Sequence, residues 1–167
     1  MPGPLNDLLR ATSRSFYLTL RVLPPPVRPQ IGLAYLLART TDTIADTEII
    51  PLAERLEALQ KLRERILGQS SAPLNFGELA KQQGSPAERV LLEKTEAGLA
   101  LLATLSPADL KLVREVLATI TSGQELDLQR FGNPGPQRIM ALETAVELDD
   151  YTYRVAGCVG EFWTKIC

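Results

Sequence analysis

At 167 residues the chain is long enough for one hydrophobic core and too short for two comfortable domains, so it reads as one domain or part of one. Its charge is nearly balanced at −2, aromatic residues make up 5%, and no basic run occurs, which disfavours nucleic acid and an anionic membrane surface and leaves a small molecule or a protein as partner. Histidine is absent, which removes histidine-ligated zinc and every triad that uses imidazole as base. A metal here must be held by oxygen, which favours magnesium or manganese.

In chain order, hydrophobic spacing and punctuation predict an all-α chain with no internal repeat or strand-like alternation. A first helix runs from Leu5 to about Leu20, with a break near Thr12 and Ser13, and Leu23-Pro-Pro-Pro26 ends it. Pro26 suits the first turn of the next helix, which spans about Val27 to Thr47. Pro51 opens a third, in which Leu52, Leu56, Leu59, Leu62 and Ile66 recur at helical spacing before Gly68 stops it. From Ala72 to Gly84 the pattern predicts a loop with a short helix over Phe76 to Gln82. Ser85-Pro86 caps a helix to about Leu105, and Ser106-Pro107-Ala-Asp109 starts another that reaches Phe131. Asn133-Pro-Gly-Pro136 breaks the chain, and a last helix runs from near Gln137 toward the C-terminus. On that helix Cys158 and Cys167 lie about 14 Å apart, too far to pair with each other. Two unpaired cysteines make a reducing cytosol the expected setting. The N-terminal residues lack the regions of a signal peptide, and no apolar stretch is long enough to span a bilayer, so no transmembrane helix is expected.

Within the second predicted helix, Tyr35, Arg39, Asp42 and Asp46 are spaced by four, three and four and fall within an arc of roughly 60°. Leu33, Leu37 and Ile44 occupy the opposite side. Two carboxylates a turn apart beside a guanidinium and a phenol are costly to desolvate unless a divalent cation and an anionic ligand complete the set, which points to diphosphate chemistry. A solvated charged edge is the plain alternative. Farther on, Leu110, Val113, Leu117 and Ile120 form a stripe that continues onto Gln124, Asp127 and Phe131. Asp127 is therefore a hydrogen-bonded structural acid or part of a cavity lining. In the last helix Ala156, Gly157 and Gly160 make a small-residue surface suited to close helix packing or to a long apolar ligand. Tyr151, Val155, Cys158 and Phe162 share another face, with Tyr151 a core phenol unless a ligand claims it. Ser13-Arg14-Ser15-Phe16 offers hydroxyls and a guanidinium at a helix break, as a phosphate contact or as ordinary capping by Thr12 or Ser13.

Together, Ser13-Arg-Ser-Phe16, Tyr35-x-x-x-Arg39-x-x-Asp42-x-x-x-Asp46 and Tyr151-x-x-x-Val-Ala-Gly-x-Val-Gly160 resemble the squalene and phytoene synthase family, in that order and across essentially the whole chain. The wording around Ser13 to Asp46 is most similar to bacterial squalene synthases. The resemblance implies the all-α terpenoid or prenyl synthase fold and the head-to-head joining of two isoprenoid diphosphates. It makes Asp42 and Asp46 the first aspartate-rich motif, binding magnesium that bridges to the substrate diphosphate. Ser13, Arg14, Ser15, Tyr35 and Arg39 match diphosphate-holding positions, Tyr151 a tyrosine of the first condensation, and Phe16, Val155, Ala156, Gly157 and Gly160 the lining of the hydrocarbon channel. Asp127 is a looser match to an acid of the phytoene synthase branch.

The family also carries a second aspartate-rich motif beyond Val-Ala-Gly, and this sequence does not contain it. Asp149 and Asp150 are no substitute, because adjacent residues point to different helical faces. The expectation is a truncated member, one helical domain over residues 1–167, whose parent is a magnesium-dependent enzyme acting on farnesyl diphosphate. The expected product is squalene, by way of presqualene diphosphate and with NADPH, and the alternatives are phytoene or dehydrosqualene, or a non-catalytic helical binding module. The expected partners are the prenyl diphosphate and the missing C-terminal half of the fold, and the expected location is the cytoplasm or the periphery of a membrane.

Overall fold

The computed structural model describes residues 3–13, 15–132 and 141–167. Among these every regular element is helical, as the spacing of apolar residues predicts. Helix α1 (Gly3–Ser13) and helix α2 (Phe16–Val22) divide at the predicted break. The prolines after Leu23 form a turn, and the long helix α3 (Arg28–Asp46) begins just past them. Pro29 stands in its first turn, so Pro26 belongs to the approach and not to the helix. Helix α4 (Leu52–Leu67) ends at Gly68, which adopts a φ of 75° that a side chain would strain. Arg114 covers that end, donating from Nε to the Ile66 carbonyl at 2.9 Å.

A short helix α5 (Gly77–Lys81) follows. The single helix expected from Ser85 to Leu105 is two, α6 (Pro86–Glu93) and α7 (Thr95–Leu102). The hydroxyl of Thr95 donates to the Leu92 carbonyl at 2.8 Å, and Lys94 sits at φ −98°, ψ 9°, off the helical values. Ser85 makes no side-chain capping bond, contrary to the expected cap. Helix α8 (Pro107–Phe131) has the predicted bounds, and Ser106 accepts from the Asp109 N–H at 3.1 Å. The predicted start of the last helix near Gln137 lies outside the described residues. Helix α9 (Ala145–Thr152) opens at Thr144 with a closed capping box, runs into a π-helical turn at Tyr153–Gly157, and continues as α10 (Cys158–Ile166).

The core forms where α8 packs against α3, α4 and α10. Leu37 and Ile44 from α3, Leu59 and Leu62 from α4, and Val113 and Leu117 from α8 are all fully buried. The apolar side of α3 thus faces inward, as its spacing predicts, and its charged side is turned away from this core. Cys158 is buried and Cys167 exposed, both with free thiols. No described helix is long and apolar enough to cross a membrane.

The π turn lies where α8 approaches closely. A Cβ added at Gly123 would stand 2.9 Å from the Cβ of Arg154, and Arg154 reaches across to donate to the Ser122 hydroxyl at 2.6 Å while pairing with Asp150. Close packing therefore falls at Gly123, whereas nothing lies within 4 Å of a Cβ at Gly160. Gly123→Ala is expected to lower stability by about 1–3 kcal/mol through overpacking. Gly160→Ala is expected to raise it by up to about 1 kcal/mol through helix propensity. Urea midpoints of the two variants check both signs.

Candidate functional site

The charged side of α3 opens onto a cleft of about 660 Å³. Tyr35, Arg39, Asp42 and Asp46 all line it, so the helical spacing does gather them. The second half of α8 faces them with Gln124 and Asp127, and the end of α9 and the π turn contribute Tyr151 and Val155. Apolar side chains complete the wall, among them Ile120, Leu128, Phe131 and Val159. The lining is thus mixed, charged and polar side chains standing beside apolar ones.

Arg39 is gripped from two directions. Its Nη1 donates to Asp42, and its Nη2 donates to Glu88 of α6 at 2.6 Å. Burial disfavours the charged guanidinium, but Asp42 and Glu88 outweigh it and hold the group charged. Asp46 is the strained partner. Burial raises its pKa above the ordinary carboxylate value, the Asp42 charge adds to the rise, and Arg39 only partly opposes it. Burial likewise raises Asp127, against a smaller pull from Arg130. Asp127 is thus a cavity-lining acid, the second of the two roles its position on the stripe left open.

Two carboxylates on one helical turn, one of them disfavoured as an anion by its neighbour, suit a divalent cation that would relieve the repulsion. Among the described residues no three carboxylates converge as a complete cage. A hard cation held here would therefore complete its shell with water and with oxygens of an anionic ligand, which is how magnesium ordinarily sits with phosphates.

The other expected residues distribute unevenly. The phenol of Tyr35 donates to the Thr12 carbonyl at 3.3 Å, and its ring stacks on Phe16 with centroids 4.6 Å apart. That stack ties the Ser13–Phe16 segment to the cleft, although Ser13, Ser15 and Phe16 are not among the residues lining it. Neither hydroxyl expected to cap does so. Thr12 donates back to the Leu8 carbonyl at 2.9 Å, and Ser13 Oγ is buried without a hydrogen-bond partner. Arg14 lies outside the described residues.

On the last helix the extra residue of the π turn changes which side chains share a face. Tyr151, Val155 and Val159 line the cleft, while Cys158 and Phe162 are buried on the core side, so the expected face of Tyr151, Val155, Cys158 and Phe162 is divided. Ala156, Gly157 and Gly160 are exposed and outside the cleft. Three charged residues of this region carry no signal in the sequence. Arg55, buried, lines the cleft and donates to the Ala45 carbonyl at 2.7 Å near the end of α3. Glu48 lines it as well, and Glu88 reaches Arg39 from a helix whose sequence suggests only a start signal.

Comparison with known proteins gives the family. The family model for squalene/phytoene synthase matches residues 9–167. Squalene synthase of Saccharomyces cerevisiae is 27% identical over 161 residues, covering 96% of this chain and 34% of that protein. The 15-cis-phytoene synthase of Synechocystis sp. is 30% identical over 152 residues, covering 89% of this chain and 35% of that protein. A solved structure of TcSQS in complex with a ligand superposes with a TM-score of 0.75 at 26% identity, over 97% of this chain and 42% of that one. The chain thus spans about a third of the length of these two curated relatives. With an all-α fold shared with solved members and a family match that runs to its last residue, the chain belongs to the squalene/phytoene synthase family.

Proposed function

We propose that this chain supplies the first diphosphate half-site of a magnesium-dependent prenyltransferase that condenses two farnesyl diphosphates head to head. The observation that carries the reading is the convergence of Arg39, Asp42 and Asp46 with Tyr151 and an apolar wall in one cleft. Asp42 and Asp46 would hold magnesium, which when bound neutralises charge on the diphosphate as it leaves. Arg39 pairs with diphosphate oxygens, a role for which a guanidinium is well suited. The apolar wall from Ile120 to Val159 receives the prenyl chain and excludes water from the allylic carbon.

In this chemistry the carbon–oxygen bond of one farnesyl diphosphate breaks, and the diphosphate departs with the electron pair. The allylic cation then alkylates the double bond of the second molecule, and loss of a proton gives presqualene diphosphate. Tyr151, which lines the same cleft, would steady the cation or assist proton loss. Squalene is the product the motif wording favours, and its formation needs a hydride from NADPH after a second ionisation. Phytoene or dehydrosqualene requires no nicotinamide, so product analysis with and without NADPH separates the two outcomes.

The direct test is calorimetric titration of the chain with farnesyl thiodiphosphate, an unreactive analogue, with and without magnesium. Magnesium-dependent binding supports the half-site. A folded, monodisperse sample that binds nothing overturns it and favours a helical module that keeps the fold without the chemistry.

A further inference from the structure

Beside the cleft lies a second cavity of about 320 Å³. Arg39, Asp46 and Glu48 line both, Glu88 lines only the second, and Asp42 lines only the cleft. Arg39 therefore pairs with one carboxylate that lines the cleft and with one that does not. We infer that Glu88 is a positioning residue: it anchors the Arg39 guanidinium from the neighbouring cavity so that Asp42 can release it to a diphosphate without the guanidinium losing its place. The inference rests on the reading of the cleft as a diphosphate site.

Two observations support the assignment. The contact joins separate helices, with Arg39 Nη2 donating to Glu88 Oε1 at 2.6 Å in a short charge-assisted hydrogen bond. The second is what Glu88 forgoes. Ser85 and Glu88 have the spacing of a capping box, the same spacing as Thr144 and Glu147 at the start of α9. At α9 both arms of the box close. At α6 the serine makes no capping bond, and the glutamate is directed to Arg39. A local stabilisation available from the sequence is left unused at the one helix start whose glutamate reaches the cleft's arginine.

The division of labour follows from charge. Asp42 is shared between Arg39 and the cation proposed for the α3 acids. When it turns to the cation, an arginine with no other anion would follow it or swing into solvent. Glu88 sits in the first turn of α6, where the helix dipole favours its charge. It holds Nη2, so Nη1 is left facing the cleft to take a diphosphate oxygen in place of Asp42.

The test measures binding of inorganic diphosphate at saturating magnesium to the wild-type chain and to Glu88→Gln and Glu88→Asp, with unfolding curves to establish that each variant is folded. Removing a negative charge near an anion site by its field alone tightens anion binding. Loss of the anchor weakens it, by about tenfold for a charge-assisted hydrogen bond. Glu88→Asp keeps the charge and shortens the reach, so it too is expected to bind more weakly. Wild-type affinity in Glu88→Asp, or tighter binding in Glu88→Gln, overturns the assignment.

A second readout needs no ligand. In ¹⁵N spectra, with Arg39→Lys used for assignment, the Arg39 guanidinium protons are expected to be slowed in exchange in the wild type and averaged in both Glu88 variants. Identical spectra in wild type and variants overturn the anchor. If the wild type binds no diphosphate, the half-site reading fails by itself, and these spectra still decide whether Glu88 fixes Arg39.

Discussion

Leu117→Ala is expected to lower the melting temperature by roughly 10 °C. Leu117 is fully buried on α8, the helix that packs against α3, α4 and α10, so truncation opens a cavity where several elements meet. Leucine-to-alanine changes in such sites cost about 2–5 kcal/mol, and in a chain of this size each kcal/mol moves the midpoint by roughly 2–4 °C. Circular dichroism melts of wild type and variant measure it. A shift below about 2 °C would mean that α8 does not form the centre of the core. The consequence reaches the site, because the same helix carries Gln124 and Asp127 into the cleft. Binding in this variant is expected to survive at low temperature and to fail along with the fold on heating.

The parts of the molecule readable from its sequence are those governed by local spacing. The opposed faces of α3 follow from its 3.6-residue period: Leu33, Leu37 and Ile44 are buried, and Tyr35, Arg39, Asp42 and Asp46 line one cleft. The cap at Ser106 and the stop at Gly68 follow from backbone groups a few residues away. What the sequence does not reveal depends on partners distant along the chain. Glu88 lies 49 residues from Arg39, and neither position announces the other. The π turn inserts one residue into an otherwise regular pattern, so counting by helical period past Tyr153 puts Cys158 on one face with Tyr151 and Val155, when those two line the cleft and Cys158 is buried in the core. The turn lies at a close approach to Gly123, a tertiary contact between segments about thirty residues apart. The division at Lys94 is a change in backbone angles at a single residue, inside an apolar pattern that reads as continuous.

Asp46→Asn is expected to weaken magnesium-dependent binding of farnesyl thiodiphosphate roughly thirtyfold or more while making the unliganded chain more stable at neutral pH. The opposite signs have a single source. Burial and the neighbouring Asp42 charge raise the Asp46 pKa, so the folded chain holds that proton more tightly than the unfolded chain does. Ionisation of Asp46 therefore works against the fold. Its unfavourable contribution appears as pH rises from the ordinary carboxylate value through the raised one and is relieved as pH falls back through that window. Asparagine removes the charge at every pH. Binding runs the other way, since a cation needs the carboxylate, and truncating one partner of a desolvated charged contact costs about 2–5 kcal/mol, roughly thirtyfold or more in affinity. Wild-type binding is thus expected to weaken as pH falls through the raised Asp46 pKa, in the same window where the unliganded fold gains from the proton. Asp42→Asn is expected to lose binding as well, but without the gain in stability, because it also removes the partner of Arg39 Nη1. Calorimetric titrations and thermal melts of both variants across the acidic range test the pairing. An Asp46→Asn chain that retains magnesium-dependent affinity would show that α3 does not hold the cation. A chain that loses both affinity and stability would show that Asp46 serves the fold, a result the opposition of Asp42 and Asp46 does not allow.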